Sequence, residues 1–141
     1  TSLEFVRALV ERGANVNARL AKDAPKAPYA ATLLKTDGST PFFMAADRAD
    51  IPLMRELLKL KADPLLPNAD NTTPLMAAAG LGTANPLEEA GTEAEALEAV
   101  QMLLELGANV NAVDSNGDTA MHGAAVRQLP GDRAAPGRPR R

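Results

Sequence analysis

The stretch NTTPLMAAA, residues 71–79, has two counterparts elsewhere in the chain, and this recurrence decides the fold. Residues 38–46 read GSTPFFMAA, 33 positions earlier, and residues 117–125 read GDTAMHGAA, 46 positions later. Self-similarity at a fixed spacing is typical of repeat proteins, in which each unit is one supersecondary element. We therefore expect a series of related units rather than a single irregular fold.

A second signature recurs and shows where the period is interrupted. It reads LVERGA at residues 9–14, LLKLKA at 57–62 and LLELGA at 103–108, with offsets of 48 and 46. These offsets exceed 33 by 15 and 13 residues, which we assign to two insertions. The insertions fall at 18–36 and 81–93, where Pro, Gly and Lys accumulate and loops are expected.

Each unit is predicted to contain two short helices. The first begins at a Thr-Pro step such as Thr73-Pro74, because Thr can cap the helix and Pro at the first helical position sacrifices no hydrogen bond. Small Ala pairs follow and let a neighbouring helix approach closely. The second helix carries apolar residues at helical spacing, as in Leu53, Met54 and Leu57.

These patterns resemble the ankyrin repeat, which reads G-x-T-P-L-H-x-A-A and, after a helix, L-L-x-x-G-A-x-x-N. The resemblance implies an all-α, helix–turn–helix solenoid of about two full repeats plus a half repeat at each end, with long loops at 18–36 and 81–93. Residues 1–128 would form the repeat domain, with units at 1–17, 36–67, 68–113 and 114–128. Residues 129–141, rich in Arg and Pro, are expected to be a disordered tail.

Several positions depart from the ankyrin pattern. His122 is the only histidine in the slot where the family usually has one, and we expect it to be buried or half-buried with a structural role; the alternative is a ligand or acid–base role. Asn71 replaces a Gly and tolerates the left-handed conformation. Lys61 replaces a capping Gly, which predicts a poorer cap, and Ala49 replaces a Gly between helices, so that turn should be tightened differently.

The composition excludes several kinds of site. The chain has 141 residues, a net charge of −3 and 3% aromatic residues, so its core has to be built from Ala, Leu, Val and Met. It has no cysteine, which excludes disulfides and thiol nucleophiles, and its single histidine excludes a two-histidine metal site. No apolar stretch approaches the ~18–20 residues that cross a bilayer. The compartment stays open, because a cysteine-free chain suits either side of a membrane.

No group of residues points to catalysis or to a cofactor. The carboxylates between Glu88 and Glu98 have no His, Cys or phosphate-binding loop to work with, and a solvated loop and helix face explain them. Residues 114–118, DSNGD, are similar to part of a calcium loop, but Ala125 stands where that loop needs its closing Glu. A repeat turn fits better, because Asp can bond its own backbone and Gly can take a positive φ. We predict no catalytic site, no metal site and no cofactor.

Binding to another protein is the kind of function that is left after these exclusions. In a stack of helix pairs, the turn tips and the exposed face of the first helices line a concave groove, which the resemblance also implies. The predicted exposed, partner-binding residues are Thr36, Asp37, Ser39, Asp47, Arg48, Ala69, Asp70, Thr72, Ser115, Asn116 and Asp118. The apolar pair Leu65-Leu66 either packs on its neighbours or is offered to a partner. The insertion 18–36, with Tyr29, Leu33 and Leu34 and with Lys22, Lys26 and Lys35, either gives selectivity or is disordered.

The function predicted from the sequence is a non-catalytic protein–protein interaction module. The acidic body favours a basic or mixed protein partner, whose identity is open, and no small-molecule substrate is expected. The alternative is a structural repeat segment that positions another domain of a larger protein. Nucleic-acid binding through the basic tail is a third, disfavoured hypothesis.

The ends and the irregularity of the array suggest its origin. It begins in a second helix and stops after a first helix, without a polar cap, so we expect a fragment of a longer scaffold-like array. The insertions and sparse histidines resemble the irregular repeats of bacterial proteins.

Overall fold

The structure is a computed structural model that describes residues 2–22, 34–83 and 92–126, and this part of the chain is all-α. Its helices are α1 (Ser2–Glu11), α2 (Pro41–Asp47), α3 (Ile51–Lys59), α4 (Pro74–Ala79), α5 (Glu93–Glu105) and a helical segment at residues 120–126 that we label α6. α2 and α3 form one predicted unit, and α4 and α5 form the next. The predicted tail at 129–141 and most of both insertions lie outside the described residues.

The predicted helix starts are confirmed at the atomic level. Thr40 Oγ1 accepts a hydrogen bond from Phe43 N at 3.1 Å, and Pro41 occupies the first helical position of α2. α4 begins in the same way at Thr73-Pro74. Ahead of α5, Thr92 and Glu95 form a reciprocal capping box, in which the hydrogen bond from Thr92 N lowers the pKa of the Glu95 carboxyl. The local sequence therefore sets where these helices begin.

Left-handed residues end the helices even where Gly is missing. Lys61 has φ 73°, in the place that Gly13 and Gly107 occupy in other copies. Ala49 has φ 52°, so the prediction that this turn is tightened differently is wrong. Ala adopts the strained conformation itself, at a cost of about 1–2 kcal/mol. Its side chain is buried in the core, so packing stabilises the turn against this strain.

The helices are arranged so that equivalent helices touch. α1 contacts α3 and α3 contacts α5, whereas α2 contacts α4; within units, α2 contacts α3 and α4 contacts α5. Leu57 and Leu103 are fully buried in one hydrophobic cluster, as the repeat hypothesis requires. Across the first of these contacts, Arg7 and Glu56 form an ion pair at 2.7 Å, and the Arg7 hydrogen bond lowers the pKa of the Glu56 carboxyl.

Candidate functional site

Three tight turns precede the first helices, and we name them fingers 1, 2 and 3. They comprise residues 35–39, 68–72 and 114–118. Each is closed by a backbone hydrogen bond, of 2.9, 3.0 and 3.1 Å respectively. The fourth residue of each finger has a positive φ, and in finger 2 this residue is Asn71 at 62°, as predicted. In fingers 2 and 3 the closing bond joins the N–H of the fourth residue to the carbonyl of the first, whereas in finger 1 it joins Ser39 N to Thr36 O, and Gly38 N donates to Leu20 O at 2.9 Å. The left-handed fourth residue is thus the feature that all three turns share.

The backbones of neighbouring fingers are hydrogen-bonded to one another at equivalent positions. At the contact between fingers 1 and 2, which we call joint 1, Ala69 N donates to Asp37 O at 2.9 Å. At joint 2, between fingers 2 and 3, Ser115 N donates to Asp70 O at 2.8 Å. Joint 1 is especially close, because a Cβ added at Gly38 would lie 2.7 Å from Ala69 N. The three turns are therefore held in a common register.

The first residue of fingers 2 and 3 organises its finger and reaches towards the finger before it. Asn68 and Asp114 each use Oδ1 to accept two backbone N–H groups of their own finger, at 2.9–3.0 Å. Asn68 Nδ2 then donates to Lys35 O across joint 1 at 2.9 Å. Asp114 Oδ2 instead accepts from Thr72 Oγ1 across joint 2 at 3.0 Å. The predicted backbone-bonding role of Asp114 is confirmed, and the cross-finger bonds are new.

Two of the predicted partner-binding residues are not available at the surface. Ser39 and Thr72 are each 1% exposed, so the expectation that they are exposed is wrong. Both are the fifth residue of a finger, just before the helix cap, and Thr72 shows that this side chain turns towards the next finger. Among the described residues, Ser39 Oγ has no hydrogen-bond partner. These two residues belong to the joints, not to the outer surface.

The other predicted residues are at least partly accessible. Arg48, Ala69, Ser115 and Asn116 are exposed. Half-buried residues are Thr36, Asp37, Asp47, Asp70 and Asp118. Lys35 Nζ lies 3.6 Å from Asp70 Oδ1, which places a cation beside the otherwise acidic finger tips. The fingers therefore present backbone-ordered tips of mainly acidic and small polar character. The first insertion contributes Lys22, Leu34 and Lys35 to the described residues, whereas Lys26, Tyr29 and Leu33 lie outside them.

The first helices differ in what they expose. In α2, Met44 is 41% exposed, and the C-cap residue Arg48 is also exposed, whereas every residue of α4 is buried. The expectation that each first helix offers an exposed face therefore holds for α2 and is wrong for α4. α4 contacts both α2 and α5, which explains its burial. Beyond the end of α4, Leu34 from the first insertion lies against Gly82. On the other side, a Cβ added at Gly123 of α6 would lie 2.5 Å from Leu81 N.

His122 is exposed, so the expectation of a buried or half-buried histidine is wrong. Its Nδ1 accepts a hydrogen bond from Thr119 N at 3.0 Å and lies 2.9 Å from Thr119 Oγ1. Because Nδ1 accepts, the neutral ring carries its proton on Nε2. The histidine therefore organises the start of α6 through Thr119, as a capping partner.

The described part of the chain holds neither a metal-binding cluster nor a membrane-spanning helix. Residues 2–22, 34–83 and 92–126 contain no cluster of three or more His, Asp or Glu residues arranged to hold a metal ion. None of the described helices is long and apolar enough to cross a membrane. The accessible features are thus the finger tips, the open face of α2 and the apolar faces at the two ends of the stacked helices.

Comparison with known families identifies the repeat. Residues 90–128 match the family model described as ankyrin repeats (many copies), and the helical units before them carry the same signatures. The match covers α5 and α6 and supports ankyrin-type repeats in this part of the chain. No curated protein matches the sequence significantly. Ankyrin repeats are generally non-enzymatic and generally act as protein-interaction modules.

Sequence reasoning missed two features of this surface. Asn68 was not singled out, although it stands where Asp114 stands one unit later, and alignment of the fingers would have indicated its role. The exposure of Met44 is the second feature, and only the packing of α2 against α3 and α4 reveals it. Its exposure adds an apolar contact to the predicted polar surface.

Proposed function

We propose that this chain binds a protein partner through the finger tips together with the exposed face of α2. The observation that carries the proposal is the register of the fingers, whose backbones are hydrogen-bonded at both joints. A surface that is already ordered loses little conformational entropy when a partner binds, which favours recognition by several shallow contacts. The partner-binding set is then the accessible part of the predicted one, centred on Asp37, Asp70, Asn116 and Arg48.

The chemistry of this surface supports a partner with basic and apolar side chains. Asp37 and Asp70 stand at equivalent positions of adjacent fingers, and α2, which follows finger 1, adds the exposed apolar side chain of Met44. Carboxylates in such a row attract cationic groups and disfavour nucleic acid, because phosphate would be repelled. A basic segment that places one apolar side chain against Met44 fits this combination of groups.

The test is affinity capture with the full chain as bait, followed by binding measurements on any protein recovered. The double variant Asp37→Lys/Asp70→Lys and the single variant Met44→Glu should each weaken binding by about tenfold or more. Glu11→Lys/Glu105→Lys, at exposed positions of α1 and α5, is the matched charge control, since it also changes the net charge by +4, and it should bind normally. Circular dichroism checks that each variant is folded.

The proposal would be contradicted by a partner that binds Asp37→Lys/Asp70→Lys and Met44→Glu as tightly as it binds the unmodified chain. That result would favour the structural alternative, in which the repeats only position another domain. Binding that depends on residues 127–141 and collapses with salt would instead indicate nucleic-acid recognition.

A further inference from the structure

The two end faces of the described helices are apolar and complementary, and we infer that copies of this chain associate head to tail. One face belongs to α1, where Phe5 is 74% and Leu9 is 62% exposed. The other is a groove of about 660 Å³ between α4, α5 and α6. Leu97, Val100, Leu104 and Met121 line this groove. The proposed occupant of the groove is α1 of a second copy.

The face of α1 consists of positions that are buried or, at Leu53, half-buried in the other units. Phe5 and Leu9 are equivalent to Leu53 and Leu57 of α3 and to Ala99 and Leu103 of α5. Leu57 and Leu103 are 1% and 0% exposed, and Ala99 is also fully buried. In those units a first helix and the preceding second helix are present. Among the described residues, α1 has neither, so its apolar side chains lack their repeat neighbours.

The groove consists of the complementary positions. Leu97 and Val100 of α5 are equivalent to Ile51 and Met54 of α3, which are 4% and 0% exposed. Leu97 is 57% exposed, because the described residues contain no second helix beyond α5. The positions of α5 that line the groove are therefore equivalent to the positions through which α3 covers α5.

Met121 of α6 is also more exposed than the equivalent residues in the first helices of the other units. It is 76% exposed, whereas the equivalent Phe42 and Leu75 are 0% and 2% exposed in units that contain a second helix. Within residues 2–22, 34–83 and 92–126, no second helix follows α6 and no first helix precedes α1. Seated in the groove, α1 of another copy would complete one ankyrin unit, and the new interface would continue the α1–α3 and α3–α5 contacts already present.

The polar rim of the new contact is also compatible. Within the chain, Arg55 Nη2 pairs with Glu98 Oε1 across the α3–α5 contact at 2.5 Å. The equivalents one step on are Gln101 of α5 and Glu4 of the incoming α1. An amide facing a carboxylate can donate a hydrogen bond, so the contact contains no like-charge pair at this position.

Such a contact uses two different surfaces, so it does not close on itself and generates open-ended oligomers. This distinguishes it from a symmetric dimer, in which one surface meets itself. The residues substituted to test it, Phe5 and Leu97, lie outside the fingers and α2, so the two proposals can be tested separately.

The experiment is sedimentation velocity with the full chain over a wide range of concentration. The unmodified chain is expected to exceed its monomer mass of 14.7 kDa progressively, without a plateau at the dimer. Phe5→Glu and Leu97→Glu should each remain monomeric, because each places a charge on one apolar face. Both side chains are already exposed, so folding should be retained, as circular dichroism can verify.

An equimolar mixture of the two variants is the decisive sample. Each pair of copies then has one intact interface, from α1 of Leu97→Glu and the groove of Phe5→Glu, so the mixture should form dimers and nothing larger. Leu65→Glu is the matched control, because Leu65 is an exposed apolar residue outside both end faces, and this variant should associate as the unmodified chain does.

A second variant tests the rim. Gln101→Arg should tighten association by about threefold, because an exposed arginine can pair with Glu4 as Arg55 pairs with Glu98. An unmodified chain that stays monomeric would overturn the inference, whether its groove is empty or covered by residues 127–141. A plateau at the dimer, or a mixture without dimers, would overturn it equally.

Discussion

Joints 1 and 2 contain equivalent backbone hydrogen bonds, but the side-chain hydrogen bonds across them differ. In joint 1, Asn68 donates its amide to Lys35 O and leaves Ser39 Oγ without a partner among the described residues. In joint 2, Asp114 has a second oxygen and accepts the Thr72 hydroxyl. A carboxylate offers two acceptors where an amide offers one acceptor and one donor, and this single-atom difference decides which neighbour is satisfied.

The comparison shows that the two joints share a backbone hydrogen bond, whereas the side-chain hydrogen bonds differ from one joint to the other. Joint 1 depends on close backbone approach at Gly38, and joint 2 depends on a buried charge-assisted hydrogen bond. The two joints should therefore respond differently to matched substitutions. Each of the following effects is measured as a change in the free energy of unfolding by urea denaturation.

The largest difference is expected from adding a methyl group to the glycine of a finger. Gly38→Ala should destabilise the protein by about 3 kcal/mol, because the new Cβ would meet Ala69 backbone atoms and φ is +76°. Gly117→Ala is the matched control; φ is +84° but nothing lies within 4 Å, so about 1 kcal/mol is expected. Equal losses for the two variants would show that close approach does not distinguish joint 1.

The next effect concerns the fifth residue of each finger. Thr72→Val removes a buried hydroxyl that bonds the Asp114 carboxylate, so a loss of about 2 kcal/mol is expected. Ser39→Ala removes an equally buried hydroxyl that has no partner among the described residues, so stability should stay within about 0.5 kcal/mol. A loss at Ser39 as large as that at Thr72 would mean that the joints are chemically alike.

Converting one joint towards the other gives a smaller change. Asn68→Asp supplies an acceptor near Ser39 but replaces the amide that donates to Lys35 O, so a net loss of about 1 kcal/mol is expected. The loss should be greater when Ser39 is already Ala, since the new oxygen then has no hydroxyl to accept. A double-mutant cycle over these two positions measures the coupling, and a coupling of zero would contradict it.

The smallest effect is expected from the ion pair between Lys35 and Asp70. The two groups are 3.6 Å apart and Lys35 is well exposed, so Lys35→Met should cost at most about 0.5 kcal/mol. The difference from the unmodified protein should disappear at high salt, where exposed charges are screened. A difference that persists in salt would assign the effect to packing of the lysine stem.

Much of the repeat was predictable because its determinants are local. The Thr-Pro steps, the Thr92–Glu95 capping box and the left-handed Asn71 follow from interactions within a few residues. The site was predictable only in part. Ser39 and Thr72 look like surface polar residues in the sequence, and their burial depends on a finger that lies one unit further along the chain.

The sequence by itself therefore determined the period, the helix starts and the resemblance to ankyrin repeats, since short-range capping and helical spacing depend on consecutive residues. Only the tertiary structure decided that Ala49 adopts a left-handed turn, that α4 is wholly buried and that Met44, Phe5 and Met121 are exposed. The physical reason is that exposure and tolerated strain are set by what packs against a residue, and those neighbours come from distant units of the chain.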